Sequence, residues 1–526
     1  MSHGGSDDCT MFARNESAIL REGENMSSKA TDHGQNYHTA KLWEIACFTL
    51  NNTSTNLHMF VLGLVTYYAT GIAGLAVMVI STILMAARIF DGVIDPAIGF
   101  IVDKTESRFG KFAPLIIVGN VISGGSILCI YQFTHLLPEG VQFLFFVTML
   151  IVNKIGYSLQ TSVTKAAQTV LTNNPKQRPL YAIFDGVYTA VFLTGGHFIV
   201  SNFLVPKHGG FTLTFFKELN GYGLTAAAVF AVLAIVGIRS KDRKEYYGLA
   251  EETTNTTLRE YWGVIKGNRP LQMLSLSASF DKLATSISSY SVVGVMLYGI
   301  LLGNYALSGQ IGLITLIPTL LITVIVVGIA RKKGLKKSYI VSAWVGLLSF
   351  LGLITLFLFI EPSSVSLANI GVPTILFLAL ISLANGFSRI PTTLVVPMIA
   401  DVSDYETHKS GRFVPGMMGT IFSFIDQLFS SLAPTIVGAV VGIIGYTSTF
   451  PEIGDALTTP LFIVTLVLAF GLPALCLAVS IAVMKFYKLD HKKMEEIQRG
   501  IAEMKAKGLK QDTAPAAGET GSFVHY

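Results

Sequence analysis

Apolar residues run through this chain in stretches of twenty or more, separated by short polar breaks. A helix needs about 20 such residues to cross a hydrocarbon layer of ~30 Å. Twelve segments meet that need: 43–69, 74–101, 113–135, 140–168, 180–204, 220–238, 272–300, 307–330, 339–360, 373–400, 416–446 and 459–486. The polar residues 1–41 read as an N-terminal extension and 488–526 as a tail, in which "KLDHKKMEEIQRGIAEMKAKG" suits a solvated or interfacial helix or else a plain charged tail. The longest internal connection, 240–270, contains "EETTNTTLRE" and divides the rest into two six-helix units, 42–239 and 271–487. The pattern predicts an all-α polytopic membrane protein of twelve transmembrane helices.

Composition agrees: only 13% of the 526 residues are charged, about half the usual share for a soluble protein. The net charge of +5 does not point to nucleic acid, because the basic residues lie in short loops and the tail. Their distribution orients the chain. With both termini cytoplasmic, the inner loops hold Lys104, Arg108, Lys111, Lys176, Arg178, the stretch 239–269, "RKKGLKK" at 331–337, Lys409 and Arg412, whereas the outer loops hold only Lys207 and Lys217. The four cysteines are scattered and suit neither a disulfide framework nor a metal site. No phosphate-cradling loop, metal-ligand cluster or nucleophile arrangement stands out, so an enzyme is not expected.

The halves echo one another. Pro96, Asp103, Gly110, Lys111, Phe112 and Pro114 recur as Pro397, Asp404, Gly411, Arg412, Phe413 and Pro415, every pair 301 positions apart. Like-oriented repeats of this kind suit an alternating-access transporter.

Span two carries the chemistry that most needs explaining. Asp91 and Asp95 lie one turn apart on one helical face, close to the membrane midplane, with Arg88 a turn away. Buried carboxylates are costly there unless they face a cavity or a partner. Such a pair can bind Na⁺ or exchange a proton, or it can join Arg88 in a static ion-pair staple. Pro96 is expected to loosen the helix below. Further mid-span polar residues include Asn51, Asn52, Thr55 and Asn56 on span one, Asn153, Lys154, Gln160, Thr164 and Lys165 on span four, Asp185 on span five, Asp281 and Lys282 on span seven, Asn385 and Arg389 on span ten, and Asp426 with Gln427 on span eleven. Together they predict a polar central cavity. Asp103, Arg108 and Lys111 in one loop, and Asp404 and Arg412 in the other, could form ion pairs that shut an inner gate; ordinary positive-inside loops would explain the basic residues alone.

"RIFDGVIDPAIGFIVDKTESRFGKFAP", Arg88 to Pro114, resembles the signature of the glycoside–pentoside–hexuronide:cation symporters, the melibiose-permease branch of the major facilitator superfamily. "MIADVSDYETHKSGR", Met398 to Arg412, looks like that family's second signature, and the resemblance spans about 41–490. It implies a fold of two six-helix halves and co-transport of a sugar with Na⁺, Li⁺ or H⁺, with the family's paired span-two aspartates falling on Asp91 and Asp95. The family's span-four aspartate falls on Gln160, taken as a third cation-site residue. On the sugar side its span-one aspartate falls on Thr55, its span-five arginine near Asp185, its span-eleven lysine near Gln427, and two tryptophans near Thr164 and Thr392. Asn52, Thr55, Tyr157, Gln160, Thr164, Asp185, Arg389, Thr392 and Gln427 are therefore the candidate substrate contacts, and Arg88 joins the gating set.

The reading is a cell-membrane, multi-pass secondary transporter, working as a monomer without a cofactor, that moves a small sugar-like solute with a monovalent cation by alternating access. Two alternatives are kept: the same fold carrying a lysolipid or another non-sugar solute, and a membrane sensor that binds solute without moving it.

Overall fold

The structure is a computed structural model that describes residues 38–105, 107–172, 177–243, 245, 266–410 and 415–512. The N-terminal extension before residue 38, most of the linker, Arg412 and the end of the tail lie outside these residues. Every described regular element is helical. Among the described residues, ten helices are long and apolar enough to cross a membrane, and an eleventh span forms if the bent pair Arg269–Ser288 and Ser291–Leu301 is counted as one. The twelfth is span one, built of Leu42–Leu62 and Val65–Gly71. It carries the polar run Asn51–Asn56 and is less apolar than the others, yet Asn51, Thr53, Ser54 and Thr55 are all buried by neighbouring helices. Two spans begin where a side chain serves an unpaired N–H group: Asn268 accepts from Leu271 N at 2.9 Å to start span seven, and Thr212 caps span six.

Each half packs by the same plan. In the first, span one lies along span six, span three along span four, and span two against span four; in the second, span seven lies along span twelve, span nine along span ten, and span eight against span ten. The halves meet through span two against span eleven and span five against span eight, again related by a shift of six. At both seams a glycine admits the neighbouring helix. A Cβ at Gly309 on span eight would lie 2.6 Å from the Cα of Phe198 on span five, and one at Gly438 on span eleven would strike the side chain of Ser81 on span two. Hydrogen bonds between the halves gather at the end predicted to face outward: Thr66 to the Tyr290 hydroxyl (3.0 Å), Tyr67 to the Pro451 carbonyl (3.1 Å), Val77 N–H to the Thr447 carbonyl (3.0 Å) and Gln310 to Asn202 (2.8 Å).

Three spans are broken beside the centre. Span one breaks at Gly63, span seven bends by 53° between Ser288 and Ser291, and span eleven stops at Ser430 and resumes at Ala433. Span two, Val77–Lys104, instead runs unbroken through Pro96, so the expected loosening there is not seen. The tail forms the helix His491–Asp512, which docks on the inner end of span ten with Ile497 buried against it.

Candidate functional site

Asp91 sits 13 residues from the end of span two, about 20 Å along the helix. Its Oδ2 lies 2.7 Å from the Lys154 ammonium of span four, and both side chains are buried. One turn on, Asp95 accepts a short hydrogen bond from the Ser158 hydroxyl. Two residues four apart on span two thus meet two residues four apart on span four, a ladder with one rung an ion pair and the other a hydroxyl hydrogen bond. The Tyr157 ring lies 5.3 Å from the Lys154 ammonium and shields it. The second oxygen of Asp91, Oδ1, is buried without a hydrogen-bond partner among the described residues.

Arg88 turns the other way, across the seam. Its Nη1 donates to the Ser430 carbonyl of span eleven at 3.1 Å. That carbonyl is free because the residue four further on is Pro434, which has no N–H to complete the helical bond. Arg88 therefore joins the halves through a backbone defect written in the sequence; the expected role in an inner gate is replaced by a contact near the centre.

Beside this ladder a cavity of about 680 Å³ lies between the halves, large enough for a sugar-sized solute. Arg88, Lys154, Lys282, Arg389, Thr392 and Asn56 contribute to its wall, with aromatic surface from Phe60, Tyr290 and Tyr305. Phe60 and Tyr290 stand at the broken ends of spans one and seven. His197 also lines it and packs edge-on to Phe60, their ring centres 4.8 Å apart.

The predicted contacts divide sharply. Arg389 and Thr392 reach the cavity. Gln160 does not join the aspartates: its Nε2 donates to the Ile116 carbonyl of span three at 2.8 Å, because it lies about 200° round the helix from Ser158. Thr55 donates to the Asn51 carbonyl of its own helix (3.0 Å), while Thr164 accepts from Asn51 (2.7 Å) and Asp185 accepts from Asn52 (2.7 Å), so the last two bonds tie span one to spans four and five, and none of these residues lines the cavity. Gln427 packs against Gly92 of span two, and Tyr157 serves Lys154.

The expected gate lies partly outside the described residues, and the described loop residues make these contacts. Three backbone N–H groups opening span three, at Lys111, Phe112 and Ala113, are received by the buried carboxylate of Asp242 at 2.8–2.9 Å. Asp404 accepts from Gln498 of the tail helix at 2.6 Å. Arg108 lies over the Phe109 ring. Arg412 and the side chain of Asp103 lie outside the described residues. Asp242 escaped the sequence reading because it caps a helix 130 residues away, and no local spacing marks it.

Residues 47–491 match the family described as MFS/sugar transport protein. The uncharacterized symporter YnaJ of Bacillus subtilis (strain 168) is 26% identical over 449 residues, covering 83% of this chain and 89% of its own. The glucuronide carrier protein homolog of Escherichia coli (strain K12) is 23% identical over 463 residues, covering 86% and 94%. The crystal structure of the nucleoside transporter NupG matches with a TM-score of 0.55 at 14% identity, over 84% of this chain and 99% of that one, and so shares the fold. With twelve spans in two like-packed halves and a family match over most of its length, the chain is a membrane transporter rather than an enzyme, and it belongs to the MFS/sugar transport protein family.

Proposed function

We propose that this chain is a cation-coupled symporter that carries a small, sugar-like solute across a cell membrane by alternating access, with both termini in the cytoplasm. The observation that supports coupling most directly is the state of Asp91. One oxygen is held by Lys154, and the other is buried with no hydrogen-bond partner among the described residues. A monovalent cation, Na⁺ or H⁺, would satisfy that oxygen and compete with the ammonium for the carboxylate. Lys154 lines the solute cavity, so whatever loosens it from Asp91 also changes the cavity wall. Cation and solute then raise one another's affinity, as symport requires.

Loading would be followed by rocking of the two halves about the seams of spans two and eleven and spans five and eight. The bonds at Thr66, Tyr67 and Val77 hold the outward end together here, a conformation suited to solute exchange from the inner side. One chain encloses the whole cavity, which suits a transport unit of one monomer.

Uptake into proteoliposomes tests the reading. Methyl β-D-glucoside, lactose and methyl β-D-glucuronide would each be offered under a Na⁺ gradient, a proton gradient and neither. One gradient should drive accumulation of at least one solute above equilibrium, and both Asp91→Asn and Asp95→Asn should abolish that gain. Uptake that only equilibrates, whatever the gradient, would sink the coupling; accumulation that survives in Asp95→Asn would remove Asp95 from it.

A further inference from the structure

Deep in the second half, away from the cavity between the halves, a carboxyl group stands among hydroxyls. Asp281 of span seven is hydrogen-bonded through Oδ2 to the hydroxyl of Tyr339 on span nine. The Tyr339 oxygen lies 3.2 Å from the Ser480 hydroxyl of span twelve and 2.9 Å from the Ser277 hydroxyl, one turn before Asp281. The two serine hydroxyls are 2.8 Å apart, and Ser277 donates to the Ser480 carbonyl at 3.0 Å. All four residues are inaccessible, and none lines the central cavity. Oδ1 of Asp281 is buried without a hydrogen-bond partner among the described residues.

Unlike Asp91, this carboxyl has no cation opposite it among the described residues. Span nine presents the Tyr339 phenol, and span twelve presents the Cys476 thiol with Ser480. Lys282, the next residue of span seven, lines the cavity and is attracted to Asp426 of span eleven. Arg389 of span ten lines the cavity as well. An ionised Asp281 would be an unpaired charge in the interior with one oxygen bare, which is strongly unfavourable. A proton removes that charge, and the hydroxyls are placed to receive it, since each can donate and accept. Asp281 then donates to Tyr339, Tyr339 to Ser480, Ser480 to Ser277 and Ser277 to the Ser480 carbonyl. Every donor in that chain has an acceptor. A metal ion would have to break the chain to enter.

We propose that the second half holds a cation site of its own, a proton at Asp281 kept by the hydroxyl chain of Tyr339, Ser480 and Ser277, separate from the site at Asp91 and Asp95. It does not depend on the symporter reading, yet its place on span seven links it to the cavity. Asp281 and Lys282 are neighbours that face opposite ways, one into the half and one into the cavity. Loss of the proton leaves a bare charge between spans seven, nine and twelve, and the helix it unsettles is the one that carries Lys282.

Infrared spectroscopy of the full chain, in a detergent without ester groups, reads the carbonyl stretch that only a protonated carboxyl group gives. At neutral pH the unaltered protein should show such a band, with a component that is lost in Asp281→Asn and kept in Asp91→Asn. Tyr339→Phe, which removes the acceptor of the proton, should shift that component to higher frequency. Saturating Na⁺ should leave it in place. An unaltered protein without the band overturns the proposal by itself, whether or not any variant folds. So does a band that is unchanged in Asp281→Asn, or a component that Na⁺ removes, which would make this a metal site. Should Asp281→Asn fail to fold, Tyr339→Phe decides, and a band it does not move overturns the proposal. Each outcome leaves the symporter reading to its own uptake test.

Discussion

Lys154 and Asp91 face one another from separate helices, both nearly inaccessible, with 2.7 Å between ammonium and carboxylate. In such surroundings the pair is tolerable and either member alone is not, since breaking a buried pair from one side costs about 3–5 kcal/mol. Lys154→Met should therefore lower the unfolding temperature in detergent markedly. Adding Asp91→Asn should recover more than half of the loss, because the stranded charge is gone. Equal instability of the single and double variants would mean that the ion pair does not hold span two to span four. Part of this was legible in advance. Asp91 and Asp95 stood out as acids in an apolar run, and Lys154 was visible among the polar residues of span four. Their pairing was not, because nothing in local sequence says which face of span four meets span two. Gln160 shows the same limit: an ungapped alignment gives its position along the chain, but a residue two places from Ser158 on a helix points elsewhere.

Span three begins on a device that joins two elements. Gly110 has a φ of +96°, in the region that favours glycine, and a Cβ there would lie 2.9 Å from the Asp242 carbonyl oxygen and against its carboxylate. That carboxylate caps the next three N–H groups. Asp242→Ala should cost about 1–2 kcal/mol, as loss of a helix cap does. Gly110→Ala should cost about as much from its backbone alone, and more from the collision with Asp242. Thermal unfolding of both single variants and the double should show that Gly110→Ala does less harm once Asp242 is alanine. Strict additivity would show that the two residues do not constrain each other. Twelve helices could be read from the length of the apolar runs because membrane thickness imposes it. The breaks could not, except in span eleven, where Pro434 marks a carbonyl without a helical partner. Pro96 carried the same kind of signal, yet the helix passes through it, so a proline shows where a bond is missing without fixing how the chain responds.

Across the whole molecule, the repeat at 301 positions implied like-oriented halves, and the packing repeats accordingly, but only the three-dimensional arrangement shows where those halves touch. Gly309 against Phe198 and Gly438 against Ser81 stand at the two seams that any rocking motion must open or slide. A conformation open at the outward end would release these contacts; the one seen here uses them. A valine at either glycine therefore penalises one conformation and spares the other. Overpacking of this kind costs about 1–3 kcal/mol, and each 1.4 kcal/mol is about a tenfold change in an equilibrium. Spin labels at Glu139 and Asn369, both exposed at the outward ends of opposite halves, would report the change as a distance distribution. Gly309→Val should move the population toward the longer distance by about tenfold or more, since the obstruction there is backbone and cannot step aside. Gly438→Val should do less, because the nearest obstruction there is the Ser81 Oγ, which can rotate away and leaves only the Ser81 Cβ at 2.8 Å. If both variants merely unfold at lower temperature with an unchanged distance distribution, the halves do not separate along these seams, and the alternating motion must lie within each half, at the bends of spans one, seven and eleven.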